Sequence, residues 1–227
     1  LGFRVEARHD VPSEKVKTAF LPVEESHLEL LESTDPASAV VSAIDDLPPG
    51  AACVATTAAD SLILQDASSA AARSHGLSHH TVDVDTEGRV QARGLDTLPS
   101  PCVLVTAVGN QEIGVLQADL GPWVQRTGSS VVLDASTAWG WVPLPASWDR
   151  LILDARTWSG VGGAVAVCSR AARRAPHPFD NVPSAVVAGL TAEHWMRAAP
   201  DAVDRVRECT ARIAAGVRDG ITGLEVR

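Results

Sequence analysis

Asp134 closes the run Val131-Val132-Leu133 and is the residue of this chain best placed to do chemistry. Short Val- and Leu-rich runs bounded by Gly and Pro read as strands buried on both faces. The carboxyl edge of such a sheet is where open α/β folds bind ligands. Asp134 there either partners a ligand cation or caps the following turn. Asn110 and Gln111 follow a second buried run, Cys102–Val108. Their amides either face a ligand or satisfy loop backbone. The loop Ser159-Gly160-Val161-Gly162-Gly163 offers backbone amides to a phosphate, but glycines just before a strand more often mark a tight turn. His79-His80 has no acidic or Cys partner at metal spacing and reads as a surface pair. Serine-hydrolase chemistry lacks its G-x-S-x-G elbow.

The elements that must position these residues alternate between strand and helix. Val11–Leu21 reads as a short helix with Ser13 as N-cap, Leu28–Leu31 as a strand, and Ser33-Thr34-Asp35-Pro36 as a turn capping the helix Ala37–Leu47. Pro48-Pro49-Gly50 ends that helix. A strand over Ala51–Thr56, an Ala-rich helix over Ser61–His75 and an alternating strand over Thr81–Val84 follow, and then a polar turn over Asp85–Val90 with Gly88 in it. After Cys102–Val108 come a helix from about Asp119 to Thr127 and strands at Val131–Leu133, Leu151–Leu153 and Ala164–Val167. Arg170–Arg174 is a basic connector. Two helices, Val182–Met196 and Pro200–Val217, lead to a strand beginning at Ile221. This pattern predicts a three-layer αβα domain on a mainly parallel sheet of about seven strands.

Composition bounds the function. The 227 residues are 45% hydrophobic and 21% charged, an ordinary globular balance with length enough for one large domain. A net charge of −9 argues against a nucleic-acid partner, which favours a basic stripe. Cys53, Cys102, Cys168 and Cys209 lack C-x-x-C spacing and read as free thiols of a reducing cytoplasm. No apolar run has the length of a membrane span, no secretory segment opens the chain, and its first residue is Leu1.

Several segments resemble, in the right order, the class V aminotransferase and cysteine desulfurase branch of the fold type I pyridoxal-phosphate (PLP) enzymes. Asn110-Gln111-Glu112-Ile113-Gly114-Val115-Leu116-Gln117 is similar to that family's Asn-Asn-Glu-Thr-Gly-Val-x-Gln. Val82-Asp83-Val84-Asp85, with Gly88-Arg89-Val90, is similar to its Val-Pro-Val-Asp and Gly-x-Val pair. Asn181-Val182-Pro183 resembles a helix start that follows a Gly-Thr dipeptide. The likeness runs from about Glu24 to Val226. It implies the large domain of that fold, over residues 1–227, without the small C-terminal domain. It also implies a homodimer, or a heterodimer with a related subunit, built through the face that lines the site.

The resemblance makes Asp134 the partner of the pyridine nitrogen and brings Asn110 or Gln111 near the cofactor's phenolic oxygen. Departures fall on the other cofactor positions. The Schiff-base lysine corresponds to Thr157, and the only lysines of the chain are Lys15 and Lys17. The ring-stacking His corresponds to Asp60 and the Gln beyond the Asp to Thr137. The phosphate-cradling turn falls on Thr34-Asp35-Pro36-Ala37, where Asp35 repels phosphate, and the Gly-Thr contact on Pro178-Phe179. Trp139, Trp141, Trp148 and Trp158 crowd the same region and are expected to fill cofactor volume. The expectation is therefore a degenerate family member without covalently attached PLP, with Asp134, Asn110 or Gln111, Asp60 and Thr157 meeting in one cleft. The alternatives are a PLP-dependent carbon–sulfur lyase acting on a cysteine conjugate, of the ergothioneine-pathway type, and a plain α/β nucleotide-binding or interaction domain.

Overall fold

The computed structural model of the chain describes residues 7–11, 16–23, 26–33, 37–45, 50–160, 164–170 and 182–220. Strands β1 (Ala7–Val11), β2 (Val16–Val23) and β3 (Ser26–Ser33) form an antiparallel ribbon. The helix α1 (Ala37–Asp45), strand β4 (Cys53–Thr57), helix α2 (Leu62–Ser74) and strand β5 (Ser78–Val82) follow. Next come α3 (Ala92–Leu95), β6 (Cys102–Ala107), the small hairpin β7 (Gly109–Asn110) and β8 (Val115–Leu116), and α4 (Gly121–Thr127). Strands β9 (Ser130–Asp134) and β10 (Arg150–Asp154), a 3-10 turn (Ala155–Trp158), β11 (Ala164–Ser169) and the long α5 (Val182–Gly220) complete the order.

The main sheet has the order β1-β2-β3-β11-β10-β9-β6-β4-β5. From β10 to β5 every neighbour pairs in parallel, while β11 runs against both β10 and β3. The central seven strands are thus mainly parallel. The ribbon strands β1 and β2 raise the described total to nine, against about seven expected.

Alternation along each strand divides the core in two. Val54, Val103, Val105, Val132 and Ile152 face α1 and α2, packing on Val40, Ile44, Leu64 and Ala67. Ala55, Leu104, Val131, Leu133 and Leu151 face the opposite way, against Leu95, Trp123, Trp158 and Ala188. The helix after β4 therefore lies on one face, and the helices after β5 and β6 lie on the other. Strand order reverses at that point, with β5 on one side of β4 and β6 on the other. The crevice at the carboxyl ends of β4 and β6 is the topological switch point, the favoured ligand position of such sheets.

Two expected elements are corrected. The helix predicted over Val11–Leu21 is strand at its described residues, Val11 in β1 and Val16–Leu21 in β2, because Val16, Thr18 and Phe20 recur with period two and β2 pairs with β3 along all eight residues. A complete ladder of backbone bonds outweighs a helix of about ten residues, which is marginal alone. The two helices predicted on either side of Pro200 are one helix of 39 residues with Pro200 inside it. A proline removes a single backbone bond to the preceding turn. Here the helix is held across that gap by Trp195 and the buried Ala199, which is 3% exposed. The strand expected from Ile221 and the connector Ala171–Arg174 lie outside the described residues.

Candidate functional site

Asp60 occupies the switch point. It lies three residues beyond β4, just before the α2 N-cap Ser61, and is 7% exposed. One carboxylate oxygen, Oδ2, accepts from the Thr57 backbone N–H at 2.7 Å and from Thr57 Oγ1 at 2.8 Å. The other, Oδ1, accepts from Thr106 Oγ1 at 3.0 Å and from the Ala107 N–H at 2.9 Å. The Asp60 carboxylate therefore stitches the end of β4 to the end of β6. Burial pushes its carboxyl above the ordinary range, and the four donors counter that only in part.

Asn110 is equally committed. Its Nδ2 donates to the Ala59 carbonyl, and its Oδ1 accepts from the N–H groups of Glu112 at 2.8 Å and Ile113 at 3.1 Å. This is the local turn chemistry expected of Asn. Gln111 sits exposed at the tip of the β7–β8 hairpin. Gln117, from the same motif, accepts from the Val90 N–H and donates to the Gly88 carbonyl, both at 2.9 Å. It fastens the hairpin to the Asp85–Val90 turn, in which Gly88 takes a φ of 82°.

Asp134 stands at the end of β9, level with Ala107 of β6. Its Oδ1 accepts from the Ser136 N–H at 3.0 Å, and Ser136 Oγ in turn accepts from the Asp154 N–H at 3.0 Å. Sequence reasoning missed Ser136; its only signal was a small hydroxyl two residues past a strand-ending Asp. Burial raises the Asp134 carboxyl, and the neighbouring Asp154 carboxylate adds to the rise. Thr137 donates from Oγ1 to the Gly109 carbonyl at 2.8 Å. Thr157 lies in the 3-10 turn after β10, donating to the Asp154 carbonyl at 2.7 Å. Asp154 is the N-cap of that turn and holds the Arg156 guanidinium, with Nε 2.8 Å from Oδ2.

Asp60, Asn110, Thr137, Asp134 and Thr157 thus stand along the carboxyl edge of β4, β6, β9 and β10. Thr34, the Asp35-Pro36 turn and Pro178-Phe179 lie outside the described residues. Lys17 belongs to β2, three strands away from β10 in the sheet order.

The tryptophans are only partly where the sequence put them. Trp139 and Trp158 meet edge-to-face at 4.9 Å on the α5 side of this edge, and the Trp158 indole donates to the Ala188 carbonyl at 3.1 Å. Trp141 packs on Trp195 at 5.0 Å. Trp148 is at the opposite edge, beneath Arg170 at 4.4 Å, because it precedes β10 rather than following β9 directly.

No protein-family profile matches the sequence, and no curated protein matches it significantly. Solved structures do match. A NifS-like protein superposes with a TM-score of 0.70 at 16% identity, over 85% of this chain and 59% of the other. DndA from Streptomyces lividans gives 0.67 at 16% identity, over 88% of this chain and 63% of its own. The apo cysteine desulfurase of Thermococcus onnurineus NA1 gives 0.66 at 12% identity, over 85% and 57%.

The fold is the one shared by these NifS-like and cysteine desulfurase structures. At these identities the likeness is one of fold, and the chain spans between 57% and 63% of the length of those neighbours. Among the described residues no group of three His, Cys, Asp or Glu side chains forms a metal site, and no helix is long and apolar enough to cross a membrane.

Proposed function

We propose that this chain is a non-catalytic relative of the cysteine desulfurases, a subunit or scaffold that keeps the fold and does not attach PLP. The observation that carries this reading is the Asp60 carboxylate in the switch-point crevice, with all four hydrogen bonds going to its own protein. Asn110, Thr137 and Thr157 repeat the pattern, each donating from its side chain to a backbone carbonyl of the chain. Those groups do not fit a covalently held PLP. A hydroxyl at Thr157 supplies no amine to the cofactor's aldehyde. An Asp at position 60 has no ring to stack, and its release from β6 leaves buried donors unpaired.

The test is incubation of the purified chain with PLP, then borohydride reduction and intact-mass measurement. The expected result is no mass increment and no new visible absorption band. An adduct mapping near Thr157, or cofactor-dependent release of pyruvate from a cysteine conjugate, overturns this reading in favour of the lyase.

A further inference from the structure

Two cysteines stand side by side at the amino edge of the sheet, opposite the candidate site. Cys53 opens β4 and Cys102 opens β6, and they are direct partners in the parallel register of those strands. Both side chains lie in the core on the α5 side, at 0% and 1% exposure. Neighbouring strands run about 4.7–4.9 Å apart, inside the Cα separation of about 4.4–6.8 Å that a disulfide spans. Both cysteines are free thiols in this structure. Burial pushes both thiols up; the Cys102 S–H counters part of that rise at Cys53, whereas Cys53 adds to the rise at Cys102. Cys53 is therefore the thiol that ionises first. What covers the pair is thin. Cys53 Sγ donates to the Pro99 carbonyl at 3.4 Å, and the Ala52 N–H donates to the Pro101 carbonyl at 2.7 Å. Ala52, Pro99, Ser100 and Pro101 are all exposed, and the two prolines have no N–H with which to tie that segment down. Lifting it is a local opening that leaves the strands in place.

We propose that Cys53 and Cys102 are a redox pair that closes to a disulfide when the chain meets a peroxide and reopens with a dithiol. The Cys53 thiolate attacks one oxygen of hydrogen peroxide and the O–O bond breaks. Sulfur becomes a sulfenic acid, and the departing hydroxide takes up the proton that Cys53 released and leaves as water. The Cys102 sulfur then attacks the sulfenic sulfur, the S–S bond forms, and the second hydroxide leaves as water with the Cys102 proton. Two thiols thus give two electrons and two protons to one peroxide, which becomes two waters. The register singles out this pair, since Cys168 of β11 stands opposite Leu151 and Leu28, and Cys209 is on the exposed half of α5. The bond has a consequence for the switch point. The Asp60 carboxylate ties β4 to β6 at their carboxyl ends, and the disulfide ties the same two strands at their amino ends. Oxidation therefore clamps the strands that frame the crevice. This assignment is independent of the cofactor reading.

The test is hydrogen peroxide treatment of the purified, reduced full chain, then alkylation in denaturant and peptide mapping by mass spectrometry. Cys53 and Cys102 are expected to escape alkylation and to appear in one joined peptide pair, two hydrogens lighter than the separate peptides. Dithiothreitol is expected to restore both thiols. Closing a loop of about fifty residues is expected to raise the urea unfolding midpoint by about 1 M. In C102A the Cys53 sulfenic acid has no thiol to resolve it and is expected to be trapped by dimedone. In C53A the remaining Cys102 is expected to stay reduced, and neither variant gains the midpoint shift. Where a variant folds poorly by circular dichroism, the map of the parent chain decides alone. Cys53 and Cys102 still open to alkylation, a linkage through Cys168 or Cys209, or Cys53 driven to sulfinic acid without a linkage overturns the pair. A mapped disulfide with an unchanged midpoint overturns the clamp. A PLP adduct on a chain that still forms the disulfide refutes the non-catalytic reading alone.

Discussion

Replacing Asp60 tests whether the switch point is a brace or a vacant ligand position. In Asp60→Ala the four donors now held by the carboxylate lose their acceptor, and two of them are the backbone N–H groups of Thr57 and Ala107. Each buried donor left unpaired costs about 1–3 kcal/mol, while removing a buried carboxylate returns part of its desolvation penalty. The two hydroxyls can turn to other acceptors, so the backbone pair dominates, and the expected loss is about 3–5 kcal/mol. With a urea m-value of about 2–3 kcal/mol/M, the unfolding midpoint falls by roughly 1.5 M. Asp60→His is expected to behave alike, because a neutral imidazole offers one acceptor where four donors converge. Far-ultraviolet circular dichroism and tryptophan fluorescence follow the transition together. A loss under about 1 kcal/mol with an unchanged slope refutes the brace, since unpaired buried amides cannot be that cheap.

Asp134→Asn keeps an acceptor for the Ser136 N–H and removes a carboxyl that burial holds above its ordinary value. A raised carboxylate favours the fold at low pH and loses that contribution as pH climbs from the unfolded value through the folded one. The Asn variant is therefore expected to be more stable than the parent at pH 7–8 and equal to it below about pH 4. Chemical denaturation across that range checks it, and a variant less stable at neutral pH contradicts the cause assigned here. Gly140→Ala introduces a Cβ against the Trp195 indole at a residue whose φ is 80°. The positive φ and the overpacking together are expected to cost about 2–4 kcal/mol, read as a lower melting temperature and a shifted tryptophan emission. An unchanged melt refutes the close packing of Gly140 on the Trp195 ring.

How much of this was legible in the chain depends on the range of the interactions. The buried strands at Cys102–Ala107, Ser130–Asp134, Arg150–Asp154 and Ala164–Ser169 were legible because continuous apolar runs between turn residues leave few alternatives. So were the Ala-rich α2 and the Asp85–Val90 turn, which local hydrogen bonds, the Ser61 cap of α2 among them, fix within a few residues. Strand β3 was legible at Leu28–Leu31, but β1 and β2 were not, because a Lys- and Val-containing segment becomes a strand only when its partner strands are beside it. Pro200 misled for the same reason: a local rule predicts a break, and packing of Trp195 and Ala199 in the turn before it holds the helix.

At the site, the sequence by itself determined residue types: no lysine near Thr157, a carboxylate instead of a ring at position 60, and Asp134 at a strand end. Only the tertiary structure decided what those residues do. The Asp60 carboxylate meets Thr106 and Ala107 across 46 and 47 residues of chain, because β6 crosses to the far side of β4 from β5. No short-range pattern encodes such a contact, since it exists only once the strand order is set.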